Sequence, residues 1–254
     1  GCLSGNDRSG RFEVSVEQST EISTVASVRW TPEEELVEAW IEVGDGPDCS
    51  ERYPAARGDD GDWTSTLVGL APGERHRVQV FADDGERIRS SHVEFVETDY
   101  PPSWLPELEL GVRDESQAEG GFVITTLLAE PSSPVIIDEY GRYVWWYRPY
   151  EDSEKVVRAR LSRAGNSVLY LEAPMVSAPL ASGRALVEIS IDGQRKHYRW
   201  VGAGLHHDFV ELPDGVIGAI AYDARQVSDE QVLGDRIVEL HPDGREVEIW
   251  TVWD

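Results

Sequence analysis

The chain has 254 residues, a length that fits one large domain or two ordinary ones. Asp and Glu number 48 against 23 Lys and Arg, a formal net charge of −25, which argues against a nucleic acid or an anionic membrane surface as the partner because like charges repel. Hydrophobic residues make up 40% of the chain and include nine Trp, so the composition excludes a disordered chain and is enough to bury a core.

Residues 1–10 are predicted to be a flexible tether. Cys2 follows Gly1 and precedes a polar run to Gly10, a pattern that resembles a bacterial lipoprotein just after its lipobox. Cys2 is therefore expected to be acylated, with a Cys2–Cys49 disulfide and a free thiol as the alternatives. Acylation or a disulfide would place the protein in the cell envelope. If Cys2 is acylated, the lipid is expected to be the protein's one contact with the membrane. Because the only Met is Met175, we expect a processed chain or a fragment.

Residues 11–99 alternate apolar and polar side chains, the period of half-buried strands. About seven strand candidates are separated by Gly and Asp turns, and this number and spacing predict a β-sandwich. Residues 32–40 could form one turn of helix, but a turn that leads into a strand at 39–43 is the preferred prediction.

The segment 66–82 resembles the fibronectin type III pattern, in which a strand ends in Leu, a Pro-Gly turn follows and an aromatic residue occupies the next corner. His76 stands where that family usually has Tyr. It is expected to pack at the corner with a weaker corner hydrogen bond, and Trp30 is expected to be the buried aromatic residue of an early strand. Residues 100–119, which begin with a Pro-rich stretch, are predicted to be a stiff linker.

Residues 120–254 contain a repeat. A strand, a Gly turn and a strand ending in Trp recur, and the turn glycines 141, 193 and 244 are 52 and 51 residues apart. A second hairpin interleaves at residues 161–166 and 212–215, so four strands recur about every 51 residues, the unit of a β-propeller blade. The recurring Trp145, Trp146, Trp200 and Trp250 are expected to pack between blades.

This period predicts an incomplete propeller. Residues 120–254 amount to about 2.6 four-stranded blades, and a ring of six would need roughly 170 further residues. The third unit is expected to end after the strand of Trp250, before its second hairpin. The sequence is therefore expected to be truncated at its C-terminus.

The run from Gly204 to Gly215 contains the adjacent His206, His207 and Asp208 at the start of a predicted strand. Because neighbours in a strand face opposite ways, one imidazole is expected to face the propeller channel while the other packs or pairs with Asp208. Such a group acts as a general acid or base, or donates hydrogen bonds to an oxyanion. The alternatives are polar residues without a role and a metal site, although adjacent strand residues do not converge easily on one ion.

The run 206–215, together with residues 136–146, resembles the bacterial arylsulfotransferase family. The resemblance implies a small sandwich ahead of a six-bladed propeller and export to the envelope. It also implies transfer of a sulfuryl group from a phenolic sulfate ester to a phenol, through a sulfated His and without a nucleotide donor. His206 or His207, with Asp208, is then a sulfate-binding or acid–base residue. The family's His-x-Asn-Ser run and its sulfuryl-accepting His have no counterpart here and are expected beyond Asp254.

Two functions therefore remain open. The first is an exported arylsulfotransferase whose residues 1–254 alone are inactive. The second is a non-catalytic envelope lipoprotein that uses its sandwich and propeller as a binding module. We expect no cofactor, since the chain has neither a Gly-rich phosphate loop nor a zinc-type Cys pair.

Overall fold

A computed structural model of the chain describes residues 12–46, 49–114, 116, 120–149, 154–174, 184–202 and 204–253. These residues form strands throughout, with a single 3-10 turn at Pro213–Gly215, so the all-β prediction is confirmed. Within the same residues, no helix has the length and apolar character needed to cross a membrane. The predicted tether 1–10 and the predicted acylation of Cys2 lie outside the described residues.

The chain divides into two compact units. One comprises residues 1–105 with 142–145, and the other comprises residues 106–141 with 146–254. The predicted boundaries at 1–10, 11–99, 100–119 and 120–254 stay predictions.

Residues 12–105 contain nine strands among those that the structure describes. They are β1 Ser15–Gln18, β2 Ala26–Trp30, β3 Glu38–Gly46, β4 Cys49–Pro54, β5 Ala56–Arg57, β6 Trp63–Leu67, β7 Arg75–Asp83, β8 Ile88–Ser90 and β9 Glu94–Glu97. One sheet has the order β1–β2–β6–β5, and the other has the order β4–β3–β7–β8, with β9 also paired to β7. The alternating side chains of β2, β3, β6 and β7 meet in one hydrophobic core, because a period of two places every second residue on the buried face.

Local predictions for this unit agree with the structure. Residues 32–37 form no helix and lead into β3, and Trp30 is buried and stacks on Trp63 with ring centroids 6.3 Å apart. His76 is 7% exposed, and its Nε2 lies 2.9 Å from the carbonyl oxygen of Ala71. The imidazole therefore keeps a hydrogen bond to the backbone five residues upstream.

The rest of the chain contains eleven strands among the described residues. They are β10 Phe122–Leu127, β11 Ser133–Asp138, β12 Tyr143–Trp146, β13 Glu154–Leu161, β14 Ser167–Pro174, β15 Arg184–Ser190, β16 Lys196–Gly202, β17 Leu205–Glu211, β18 Ile217–Val227, β19 Glu230–Leu240 and β20 Glu246–Thr251. Their sheets have the orders β10–β11–β12, β13–β14–β15–β16 and β17–β18–β19–β20. Each sheet is an open meander in chain order. Several of the hairpins turn at glycines with positive φ, among them Gly165, Gly193 and Gly244, whereas the β18–β19 turn has Ser228 at φ of 55°.

The sheets group the hairpins differently from the predicted units. The hairpin of β13 and β14 shares a sheet with the hairpin that follows it, and β17–β20 is complete with four strands. The predicted units, which start at the hairpins ending in Trp, therefore begin one hairpin out of phase with the sheets, and the three-stranded sheet is the first one. The spacing of turn glycines measures the length of the repeat but not which hairpin begins it.

The two four-stranded sheets share a hydrophobic core. Buried Leu, Ile, Val, Ala and Phe side chains from β14, β15, β17, β18 and β19 form one cluster, with Trp200 partly buried against it. Trp145 and Trp146 are buried, whereas Trp250 is 46% exposed. Trp250 therefore does not occupy the buried position between sheets that was expected for the repeated Trp residues.

Candidate functional site

A β-bulge at the start of β17 shapes the segment that carries the histidine pair. The register with β18 passes from Leu205 opposite Ala221 to Phe209 opposite Ala219, so β17 holds two more residues than its partner over this stretch. His207 lies inside the bulge with φ of 58°, a left-handed conformation that is uncommon for residues other than glycine. Bulges interrupt the alternation of side chains and redirect them.

The bulge brings the two imidazoles into contact with each other. Their ring centroids are 4.8 Å apart and their planes are inclined by 80°, so the prediction that the rings face opposite ways is wrong. His206 is 4% exposed and stacks on the ring of Tyr222, with centroids 3.7 Å apart. His207 is exposed, so of the pair it is the one whose ring is open to a ligand.

The buried ring of His206 faces groups of both signs. Its Nε2 lies 3.2 Å from Oδ1 of Asp235, close enough for an ion-pair contact, whereas Nδ1 is buried without a hydrogen-bond partner in the described residues. Burial lowers the pKa of His206, and the positive charges of His207 and Arg184 lower it further, whereas Asp235 raises it and is outweighed. His206 is therefore neutral at neutral pH.

Asp208 is bound by arginines rather than by a histidine. Nη2 of Arg160 lies 3.0 Å from both carboxylate oxygens, and Nε of Arg158 lies 3.1 Å from Oδ1. The backbone N–H of Phe209 donates to the same oxygen at 2.8 Å. Burial alone would raise the pKa of Asp208, but these donors outweigh it and hold the pKa below its usual range. The carboxylate is thus ionised, and the predicted pairing with a histidine is not observed.

An open pocket lies beside this arginine pair. It is lined by residues of β10, β13 and β17 and of the turn after β13, namely Ile124, Arg158, Ala159, Arg160, Leu161, Arg163, Val210 and Glu211. Glu211 accepts a hydrogen bond of 2.7 Å from the backbone N–H of Arg163. The lining therefore combines three arginines with a carboxylate that is already engaged, which suits an anionic ligand.

The structure adds five residues that the sequence did not single out. Arg158 and Arg160 belong to β13, Arg184 to β15, Tyr222 to β18 and Asp235 to β19. The two arginines of β13 had a local signal, since alternate residues of a strand share a face. The other three had none, because only the packing of separate strands brings them to His206. Among the described residues, no group of three or more His, Cys, Asp or Glu has the arrangement of a metal site.

The family model described as Arylsulfotransferase (ASST) matches residues 111–254, more than half of the chain. The chain belongs to the arylsulfotransferase family. The resemblance found from its motifs is therefore confirmed, and the matched region contains the histidine pair, the arginine pair and the pocket.

Other comparisons add little to the family match. No curated protein matches the chain. Among solved structures, the chain is similar to the uncharacterized protein lmo2446 from Listeria monocytogenes EGD-e, in complex with α-D-glucose, β-D-glucose, magnesium and calcium. The identity is 9%, and the TM-score is 0.24 over 92% of this chain and 18% of that one. This chain thus spans under a fifth of that protein's length, and a similarity at this level carries no argument about function.

Proposed function

We propose that the protein transfers a sulfuryl group from a phenolic sulfate ester to a phenol, with residues 111–254 supplying part of the substrate site. One observation carries the proposal beyond family membership. Arg158 and Arg160 surround a single carboxylate, Asp208, which follows the histidine pair directly in sequence. In a chain of net charge −25, a local excess of arginine is what an anionic sulfate ester needs in order to bind.

The proposed architecture is a fibronectin type III-like sandwich followed by part of a β-propeller. The two sheets of the first unit, with their common core, support the sandwich. Two four-stranded meanders in chain order, packed on each other, support the blades. Because the described residues after 120 form three sheets and a closed propeller has about four to eight blades, the proposal places further blades, with the histidine that takes the sulfuryl group, outside residues 1–254.

In the proposed reaction, the bond between sulfur and the phenolic oxygen of the donor breaks, and the sulfuryl group moves to an imidazole nitrogen of that further histidine. The departing phenolate takes up one proton, for which the exposed His207 is the proposed donor. When the acceptor phenol attacks, its oxygen forms a bond to sulfur as the bond between sulfur and the imidazole nitrogen breaks, and its proton returns to His207. Charge develops on the sulfuryl and phenolic oxygens, so fixed donors nearby lower the barrier.

Asp208 has a different proposed role in this reaction. Its pKa is held low and both of its oxygens are occupied by arginine N–H groups, so it is a poor general base. We assign it the positioning of Arg158 and Arg160 along β13. Anchored guanidinium groups bind a sulfate with less loss of side-chain entropy than free ones.

The proposed location is the cell envelope, with a lipid on Cys2 as the anchor. The observation behind it is the Gly-Cys start followed by a polar run. Mass spectrometry of the protein isolated from the membrane fraction of its producing cell would reveal an acylated Cys2. An unmodified thiol at Cys2, or a Cys2–Cys49 disulfide, would contradict the lipid anchor.

The test of the enzyme is acceptor-dependent release of a chromogenic phenol from its sulfate ester by the full-length protein. Replacing His207 with Gln is expected to lower kcat/KM by about a hundredfold or more. His197→Gln is the matched control, since this exposed residue of β16 has no proposed role and the variant should keep the parent rate. The 254-residue chain alone is expected to show no turnover.

Absence of acceptor-dependent release by a folded full-length protein would refute the proposal and favour the non-catalytic binding module. Equal losses in the two histidine variants would refute the assignment of His207. Turnover by residues 1–254 alone would show that the sulfuryl-accepting group lies within them.

A further inference from the structure

Residues 107–112 belong to no sheet, although their sequence, Glu-Leu-Glu-Leu-Gly-Val, alternates as a half-buried strand does. No hydrogen bond from this segment is found among the described residues. Leu108, Leu110 and Val112 are 41%, 48% and 87% exposed. Because alternate residues of an extended chain share a face, these three would form an apolar stripe opposite the two glutamates. The segment therefore has the pattern of a strand but neither a ladder nor a core to join.

The next residue along the chain, Arg113, is held firmly by its neighbours. Its guanidinium carbon lies 4.4 Å from the ring centroid of Tyr140, and its Nη2 lies 3.4 Å from Oε2 of Glu139. An unpaired row of backbone N–H and C=O groups beside apolar side chains is a ready template for another strand. The segment 107–112 is thus anchored at the end nearest β10, and its own six residues are available for pairing.

The segment passes the first sheet, β10–β11–β12, without joining it. A Cβ atom placed on Gly141, in the β11–β12 turn, would lie 3.6 Å from the Cβ of Leu110. The ladders of that sheet nevertheless include no residue of 107–112. The segment therefore lies at the end of the first sheet, with its backbone groups available for a different sheet.

The last sheet, β17–β20, has an open apolar face. Val238 and Leu240 of β19 are buried in the core shared with the preceding sheet, whereas Ile237, on the opposite face, is 44% exposed. In the ladder Ile237 stands opposite Trp250, which is 46% exposed. An apolar sheet face is normally covered by another layer. A further sheet packed there would extend the stack, and in the proposed ring the final sheet of that stack would lie beside the first one.

We propose that residues 107–112 add an edge strand to the final sheet of the proposed propeller, which is formed by a part of this chain outside residues 1–254, and so close the ring. The strand requires the further blades of the proposed function, but it does not require the transfer of a sulfuryl group. Pairing would satisfy the backbone groups of the segment, and its apolar stripe would join the core of that sheet.

A second copy of the chain is a poorer occupant than a sheet of the same chain. Each copy carries a net charge of −25, and two paired segments would bring Glu107 and Glu109 of one copy beside those of the other, where like charges repel. A sheet of the same chain is also present at a high effective concentration, because the connection makes the pairing intramolecular.

The experiment is hydrogen–deuterium exchange, measured by mass spectrometry, on the full-length protein and on the 254-residue chain. In the full-length protein about half of the amides of residues 107–112 should be protected about a hundredfold or more, because an edge strand is hydrogen-bonded on one side. In the 254-residue chain they should exchange as exposed peptide does. Free exchange in the full-length protein would overturn the proposed strand. Protection of the 254-residue chain that rises with protein concentration would assign the segment to a second copy and would overturn it as well.

A substitution in the apolar stripe gives a second measurement. In the full-length protein Leu108→Asp would place a charge in the proposed core, so it should abolish the protection and lower the melting temperature by about 3 °C or more. In the 254-residue chain the same change should shift it by less than about 1 °C. Leu128→Asp is the matched control, since Leu128 is 70% exposed, and it should alter neither protein. Equal effects of the two substitutions in the full-length protein would overturn the proposed strand.

The same preparations separate the strand from the enzyme. Protection that depends on Leu108, in a full-length protein that transfers no sulfuryl group, would support the strand and refute only the enzyme. Sulfuryl transfer by a full-length protein whose residues 107–112 exchange freely would refute only the strand.

Discussion

The ion pair between Lys196 and Glu172 gives the sharpest test of how the sheet β13–β16 is held together. Glu172 on β14 is 1% exposed, and it accepts hydrogen bonds from Lys196 Nζ at 3.2 Å and from the hydroxyl of Tyr170 at 2.9 Å. The change Lys196→Met keeps the length of the side chain but leaves the carboxylate with one neutral donor. A buried charge that loses its partner is destabilising.

The magnitude has an upper limit. Loss of a hydrogen bond to a charged group costs about 1.5–3 kcal/mol, and breaking a fully buried pair costs about 3–5 kcal/mol. The side chain of Lys196 is 21% exposed, so the lower part of this range applies. We expect a loss of about 2–3 kcal/mol at pH 7.

The assay is urea unfolding followed by tryptophan fluorescence, with thermal melting as a second measurement. A loss of this size is expected to lower the melting temperature of the second unit by about 5–10 °C. The chain contains one other lysine, Lys155, which is exposed on β13, and Lys155→Met is the matched control with an expected change within about 0.5 kcal/mol.

A double variant tests the electrostatic cause directly. Lys196→Met combined with Glu172→Gln removes the charge left behind, so the double variant is expected to be more stable than Lys196→Met alone. The reasoning is refuted if Lys196→Met is no less stable than Lys155→Met, or if the second substitution adds its own cost. Lys196 has a raised pKa, because a hydrogen bond to Tyr198 and the charge of Glu172 outweigh burial, which would lower it. Its contribution is therefore present below about pH 10 and lost at higher pH.

Three further outcomes follow from the site and from the sandwich. The imidazole of His206 should titrate below the ordinary pKa of histidine because of its burial. Arg184→Gln should raise this pKa and Asp235→Asn should lower it. A midpoint at or above about 6.5, measured by NMR, would contradict the buried environment. His207→Gly should be about 1 kcal/mol more stable to urea than His207→Ala, because glycine adopts the φ of 58° without strain; equal stabilities would argue against the bulge. His76→Tyr should retain stability while His76→Phe loses about 1 kcal/mol in the same assay, since only the former can donate to the upstream carbonyl.

The strands and turns of this chain could be predicted because their signals are local. The alternation in β7 and the glycines at 165, 193 and 244 each report on a few neighbouring residues. The assignment of hairpins to sheets was not predictable in the same way, because the hairpins of β13–β14 and β15–β16 are alike in sequence pattern whichever sheet they join. Their pairing depends on contacts between strands that are distant along the chain.

The relative orientation of the histidine pair could not be predicted from the local sequence. Alternation in an ideal strand predicted opposite faces for His206 and His207, but the bulge holds the rings together. The sequence does not predict the bulge, because the residue at positive φ is a histidine and not a glycine. Arg184 was also missed, because a single arginine 22 positions before His206 shows no spacing that would connect the two.

The charges of the site explain how an acidic protein could attract an anion. Arg158, Arg160 and Arg184 face Asp208 and Asp235, three positive groups against two negative ones, a formal local charge of +1. The remaining charges of the chain are strongly negative, but at physiological ionic strength a charge is screened beyond about 8 Å. An aryl sulfate approaching β17 would therefore be repelled weakly by the distant surface and attracted by the arginines close to it. At low ionic strength the balance reverses, because the distant charges are no longer screened, so the local excess of arginine matters most in salt.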